Sequence, residues 1–516
     1  MNETETPAAD RNLWIAIALS VAVYAIWFGF FEKRFNPPQP KPAVSASAPA
    51  VPGAPASAAS SYDAPATPAD GKALLAVSDQ ITLGEAVARV SPRGAALASY
   101  SFQGPIARIE LVADPANGLF ASFPELNFKR DPSSKSGAVY AATRPDGVRI
   151  TKEFVPGQGT VLPRIVIIAS NPSRKPVAVG AWNLTLGPGL GTVASEEKDN
   201  LKLTRAIGLT PETPGLKGRI DVLKPGAHPG PYRWLGIDNR YFLAALLPSA
   251  EMFEPAQSAS PAALTLTAKP VTLAPGGTYT WELPYYLGPK GHGWLARYGI
   301  GLERAIDFGF FSQIGRWMLD ALVYLHTLIG NWGWAIIVLT LGLQTLLLPL
   351  TYKSLKAAAS MRKVQPQIAK LQAKYKDDPT RLNTEMMALY KTAGANPLGG
   401  CLPMLLQMPI FVALYNALRS SWELHGAVWM LWIRDLSAKD PYYVLPVVMG
   451  GLMWAQSKLN PPAGDPAQQQ MMQFMPLIFT FMFLKFPAGL VLYWLTNSLV
   501  STVLQLALRD HLNSEA

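Results

Sequence analysis

The chain has 516 residues, of which 49% are hydrophobic and 16% charged, with a formal net charge of +10. That apolar share is high for a soluble protein, so part of the chain belongs in lipid, and the basic surplus fits either nucleic acid or a membrane surface until its location is known. A single cysteine, Cys401, excludes an intrachain disulfide and with it a stapled secreted scaffold.

Residues 13–31 are nineteen residues without a charge, which at about 1.5 Å per residue match a ~30 Å hydrocarbon core. They read as the first transmembrane helix, following a short N-terminal stretch at 1–12. A cleavable signal peptide is the competing reading, but Glu3, Glu5 and Asp10 precede the run, and Ala46-Ser47-Ala48 lies too far downstream for a cleavage site. An uncleaved anchor is expected. Residues 32–70 are rich in Pro, Ala and Ser and hold too little apolar surface to offset chain entropy, so they form a linker.

From 71 to 290 the pattern becomes short β-branched and aromatic runs punctuated by Gly and Pro, such as Arg164 to Ser170 and Thr278 to Tyr286. This region reads as one all-β sandwich domain. Residues 312–329 then change period: Ile314, Trp317, Met318, Ala321, Leu322, Leu325, Leu328 and Ile329 share one helical face, with Gln313, Arg316 and Asp320 opposite. Such an amphipathic helix fits the membrane interface, or packs against the β-domain.

Five more apolar segments follow, at 332–350, 398–418, 442–457, 471–485 and 489–508, which makes a polytopic α-helical membrane protein of six transmembrane helices. The fourth and fifth are short for a full span. Lys485 to Gly489 leaves room only for a tight hairpin between the last two.

Charge sets the orientation. Residues 351–397 carry nine basic against three acidic side chains, whereas Arg419 to Asp440 is balanced at three and three, so the first loop is cytoplasmic and the loop at 419–441 lies outside. The β-domain is then periplasmic, the loop at 458–470 and the tail at 509–516 are cytoplasmic, and so is the N-terminus. Lys33 and Arg34 after the first span favour the opposite sense. The large loop decides, because long domains translocate largely regardless of flanking charge.

The cytoplasmic loop has its own pattern. Met361, Val364, Ile368, Leu371 and Tyr375 repeat at three and four residues, as do Leu382, Met386 and Leu389, with Asp378 as N-cap and Pro379 at the first helical position. Two antiparallel helices are expected, the first bent at Pro366. The basic surface, which includes Arg362, Lys363, Lys370, Lys374 and Arg381, is either a solvated positive-inside face or a docking face for ribosomal RNA or anionic lipid.

Catalytic and metal-binding patterns are not found: the five histidines lack ligand spacing, and there is neither a P-loop nor a nucleophile elbow. Gly187-Pro188-Gly189-Leu190-Gly191 superficially matches a dinucleotide loop, yet its proline removes a donor amide, so a turn is expected. No cofactor and no small-molecule substrate is expected. What stands out is polarity inside the spans: Gln344, Gln407, Asn416, Thr496, Asn497, Ser498, Ser501 and Gln505. In hydrocarbon such groups face each other as interhelical hydrogen bonds, or an aqueous cavity.

Asn331-Trp332-Gly333, Asn396 to Cys401, Gln407-Met408-Pro409-Ile410-Phe411, Leu431 to Ile433 with Asp435 to Ser437, Asp440 to Tyr443, and Phe486 to Tyr493 together resemble the YidC membrane protein insertases. The resemblance covers about 314 to 508, and the anchor with a large outer domain is similar to the Gram-negative form. It implies a bacterial inner-membrane protein whose spans enclose a hydrophilic groove, open to the cytoplasm and to lipid. Its groove would be lined by Thr340, Gln344, Gln407, Asn416, Tyr493, Trp494 and Asn497, and Met408, Phe411, Phe479 and Phe483 would form an apolar slide for the client. The family usually carries an arginine where this chain has Gln344, and often a second tyrosine where it has Trp494. Implied partners are nascent membrane proteins, the Sec translocon, the ribosome, signal-recognition components and anionic lipids. Under this reading a half-deep hydrated groove shortens the dry path for a polar segment, and burial of the client's own apolar segment drives insertion without a fuel. An assembly chaperone without independent insertase activity, or a secondary transporter, are the alternatives. The first would not need the polar groove, and the second would show substrate-dependent ion flux.

Overall fold

The computed structural model describes residues 75–132, 138–213, 218–376, 378–393, 402–459 and 466–515. The expected anchor at 13–31, the linker at 32–70 and the motif from Asn396 to Cys401 lie outside the described residues. The chain divides into two compact units, one ending at Ala305 and one running from Ile306 to the C-terminus.

The first unit is built on antiparallel sheets. Its nine-stranded sheet runs, in spatial order, through Ile220–Val222, Arg205–Leu209, Trp234–Asp238, Phe242–Leu246, Thr278–Pro289, Arg164–Ser170, Arg149–Val155, Val139–Thr143 and Lys129–Arg130. The two runs singled out in the sequence are neighbours, with Tyr279 opposite Ala169 and Leu283 opposite Ile165. A five-stranded sheet containing Trp182–Leu186 and Ala263–Ala268 covers it. Trp182 of this sheet meets Trp281 of the larger one edge-on at 5.3 Å, and Phe120 meets Tyr285 at 5.0 Å. Two pleated faces with alternate residues turned inward bury those rings between them. The stretch from Gly187 to Gly191 runs as irregular backbone after the strand and opens no phosphate-binding helix. The unit also continues beyond residue 290: Lys290 is buried, its Nζ donates to Asp238 Oδ2 at 2.8 Å, and Leu295 and Leu302 are fully buried behind it.

Strand alternation also turns one lysine inward. In Arg149–Val155 the buried positions are Ile150, Lys152 and Phe154. Lys152 Nζ lies within hydrogen-bond distance of the carbonyls of Gly94 and Phe120 and of Ser122 Oγ. Burial holds its ammonium well below the usual lysine range. Between that lowered value and about 10.4 the unfolded chain binds a proton that the folded chain does not, so stability rises with pH. Above about 10 the trend reverses, because burial pushes Tyr100 up to about 12 and the unfolded tyrosines ionise first. Lys152→Met is expected to flatten the rising limb and leave the falling one. Thermal unfolding of both proteins across this pH range tests it, and an unchanged rising limb would assign the trend to another group.

The second unit is helical. Its elements are α1 (Ser312–Ile329), α2 (Trp332–Lys374), α3 (Pro379–Thr392), α4 (Leu402–Ser420), α5 (Val444–Leu459), α6 (Pro466–Phe483) and α7 (Ala488–Glu515). α1 packs on α2 and α4, α7 packs along α2 and α5, and α5 packs on α6. On α1 the buried face centres on Met318, Leu319 and Leu322, while Trp317, Tyr324 and Leu328 face outward. Its apolar stripe is therefore wider than the helical spacing indicated.

The largest departure is at α2. The span expected at 332–350 and the first hairpin helix expected after it are a single helix of 43 residues that runs through Pro349 and Pro366. Asn331 caps it, its side chain accepting from the amides of Gly333 and Trp334. At the far end Asp378 accepts from the Arg381 amide and Pro379 opens α3. Val364 and Ile368 on α2 then bury against Met386, Leu389 and Tyr390 on α3. α6 likewise begins at Pro466, inside the stretch expected as the 458–470 loop, and α7 runs on through the expected tail to Glu515.

Candidate functional site

The polar residues of the spans fall into two kinds. Thr340, Thr496 and Thr502 are buried, but each hydroxyl returns to its own helix, donating to the carbonyls of Ile336, Leu492 and Ser498 at 2.7 to 2.8 Å. These need nothing further. Gln344 lies one turn beyond Thr340 on α2 and is 8% exposed. Asn497 stands on α7, the helix packed along α2, and its Oδ1 is buried with no hydrogen-bond partner among the described residues. Leaving such an acceptor unpaired costs about 1–3 kcal/mol, so the site calls for a donor from water or a passing chain.

Gln407 on α4 donates through Nε2 to the hydroxyl of Tyr493, which is itself buried. That bond ties α4 to α7 behind the site. Asn416 is not part of it: its Nδ2 donates to the Phe308 carbonyl at 3.2 Å, anchoring the approach to α1. Helical spacing put Asn416 among the polar span residues, and only tertiary contact shows what it bonds.

The aromatic residues are more packed than their expected role requires. Trp494 stands at 5.0 Å from Phe411, 6.1 Å from Phe479 and 5.5 Å from Phe483. Phe483 is fully buried and therefore presents no surface to a client, which corrects its place on the slide. Phe411 and Phe479 are half-buried, and Met408 is 39% exposed. The larger outward apolar surface is on α6, at Phe474, Ile478 and Phe481, residues that the sequence reading passed over. Their three- and four-residue spacing was visible, but the same spacing marks a buried face equally well.

The basic surface is also divided. Lys363, Lys370, Lys374 and Arg381 are exposed, and Lys374 and Arg381 flank the Tyr375 ring at 5.1 and 5.5 Å. Arg362 instead donates to the Leu459 carbonyl, so it joins α2 to the end of α5 and does not project outward.

Comparison with known proteins places this arrangement. Residues 324–515 match the model of the 60Kd inner membrane protein family, and residues 106–321 match that of the YidC periplasmic domain. A membrane protein insertase YidC of Syntrophus aciditrophicus (strain SB) is 33% identical over 95% of this chain and 98% of its own length. One from Endomicrobium trichonymphae is 40% identical over 77% of this chain and 78% of its own. The chain belongs to the YidC membrane protein insertase family. A crystal structure of an active YidC insertase covers 84% of this chain and 95% of its own at 18% identity, with a TM-score of 0.40 that adds no weight to the assignment. As a YidC insertase the chain is an inner-membrane protein, its β-rich unit is a YidC periplasmic domain, and its C-terminal unit is helical.

Proposed function

We propose that this chain inserts newly made inner-membrane proteins through a hydrated groove beside α2 and α7, acting alone or together with a Sec translocon. Six spans, counting the anchor at 13–31, place both termini and the α2–α3 hairpin in the cytoplasm. The exposed lysines and Arg381 on that hairpin then meet the ribosome, signal-recognition components or anionic lipid. α1 lies in the interface, and Met408 with the outward face of α6 receives the client's apolar segment.

The observation that carries the groove is the buried Asn497 Oδ1, without a partner among the described residues, on the helix packed along the α2 that bears the buried Gln344. A polar segment crossing a bilayer loses its hydration, at roughly 2.5–3.5 kcal/mol for a charge at the centre on insertion scales. Amide groups at half depth supply hydrogen bonds where water would have to be stripped. Gln344 keeps donors at the position where the resemblance implies arginine, but without a charge it solvates a client tail of either sign. The pull on acidic tails should therefore be weak.

The test is reconstitution in protein-free liposomes with protease protection of a short single-span client. Gln344→Leu with Asn497→Leu is expected to lower protection about tenfold, the equivalent of ~1.4 kcal/mol. Gln344→Arg should favour clients with acidic tails. Full protection with the leucine pair would remove the groove from the mechanism, and no protection with any version, the parent chain included, would leave an assembly chaperone.

A further inference from the structure

The segment between α4 and α5 was assigned above only as a loop, yet its composition is that of a lipid-facing surface. Ala427 to Ile433 is seven consecutive apolar residues. Ile433 and Leu436 are buried and hold its base in the helical core. Its tip does the opposite: Val428 is 55% exposed, Leu431 73% and Tyr442 70%.

This exposure is imposed by the backbone. Leu431 has φ +54° and Tyr443 φ +58°, left-handed conformations that non-glycine residues adopt only when their surroundings hold them there. The surroundings are explicit. The Trp429 amide donates to the Ile433 carbonyl at 3.0 Å and the Ile433 amide to the Met430 carbonyl at 3.1 Å, closing a tight turn. Asn331 Nδ2 donates to the carbonyls of Val428 and Trp429, fixing the turn to the start of α2. The amides of Ala488 and Gly489 donate to the carbonyls of Ala438 and Leu436, fixing it to the start of α7. Gly333 lets Trp429 lie directly on α2, since a Cβ there would stand 2.0 Å from Trp429 Cδ1.

A rigid loop with outward Leu and Tyr side chains is costly in water and favourable in a membrane interface. Its apolar surface is continuous with the outward faces of the neighbouring spans, at Trp334 on α2, which meets Trp429 at 6.1 Å, and at Val447 and Val448 on α5. Arg434 and Lys439 are exposed on the same loop, with Lys439 5.9 Å from the Tyr443 ring, as suits a boundary where phosphates lie above acyl chains.

We infer that the Val428–Tyr443 loop is an interfacial anchor, with Leu431 and Tyr442 inserted among lipid acyl chains and Arg434 and Lys439 at the headgroups. It fixes the depth of the helical unit, and with it the depth of Gln344 and Asn497. The inference rests on the reading of α2 and α5 as membrane spans.

The test uses the full chain with Cys401→Ser as background, reconstituted in vesicles. A fluorophore is attached at Leu431→Cys or Tyr442→Cys, with Val447→Cys as a site within a span and Val161→Cys as a site in the β-domain. Lipids spin-labelled near the headgroup or deeper in the chain then quench it. The loop probes are expected to be quenched best by the shallow label, at about 5–10 Å below the headgroups, and the Val161 probe not at all. Quenching at Val447 without quenching at Leu431 and Tyr442 overturns the anchor alone. A loop probe that is blue-shifted but unquenched overturns it too, because protein then covers the loop. Absence of quenching at all four sites overturns the spans and the anchor together.

Discussion

Replacing Gly450 by alanine is expected to destabilise the helical unit by about 1–3 kcal/mol, the usual cost of forcing extra volume into a packed interface. α5 and α6 meet so closely at this glycine that a Cβ would stand 1.9 Å from Thr480 Oγ1 and 3.1 Å from Thr480 Cβ. The hydroxyl is not free to swing aside, because it donates to the Pro476 carbonyl at 2.7 Å. Either that bond breaks or the helices separate. Small residues at helix contacts in lipid allow this approach, where packing replaces the hydrophobic drive that water would supply. Adding Thr480→Ala should recover most of the loss, since it removes the atom that clashes, and the two changes should be strongly non-additive. Thermal denaturation of the single and double variants in one detergent reads this directly. Equal melting temperatures for Gly450→Ala and the parent protein would show that α5 and α6 sit farther apart than described.

Asp440→Ala is expected to cost at least about 3 kcal/mol, because one carboxylate serves three donors and bonds to charged groups are worth roughly 1.5–3 kcal/mol each. Asp440 is 1% exposed. It accepts from Trp432 Nε1 at 3.0 Å, from the Tyr442 amide at 3.0 Å and from the Leu445 amide at 2.7 Å. Through these it holds both the apolar loop and the first turn of α5. Alanine would leave the buried Leu445 amide and the part-buried Trp432 indole and Tyr442 amide without their acceptor, whereas Asp440→Asn keeps one oxygen and should retain part of the stability. Protease sensitivity between residues 421 and 443 and the emission of Trp432 report the change. Resistance equal to that of the parent protein would mean that packing of Ile433 and Leu436 suffices to hold the loop.

Much of this architecture was legible because periodicity reports which face of an element is apolar. Arg164 to Ser170 and Thr278 onward, legible instead as β-branched and aromatic runs, pair as strands. Asp378 before Pro379 signals a helix start and forms one. The same signal is blind to what a face meets. Phe483 and Phe481 lie two residues apart on one apolar helix, and only the fold buries the first and exposes the second at 63%. The helix end expected at 350 was the other error, since α2 continues past it and, as expected, through Pro366. Pro349 and Pro366 each remove one backbone donor, which usually ends or bends a helix, but packing of α7 along α2 and of α3 against its far end offsets that cost. The loop from Ala427 to Ile433 was missed for a simpler reason. The surrounding stretch from Arg419 to Asp440 balances in charge, so it reads as a connection, and nothing local records that Leu431 is held at a positive φ.

The unbroken α2 has a mechanical meaning. At about 1.5 Å per residue its 43 residues make a rod of ~65 Å, twice the ~30 Å of hydrocarbon, so in the proposed topology roughly half of it stands outside the lipid. A load on the hairpin is therefore not absorbed by a flexible connection. It travels as displacement or twist of one rod in which Pro349 lies between the hairpin and Gln344, while Pro366 lies within the hairpin's own packed arm.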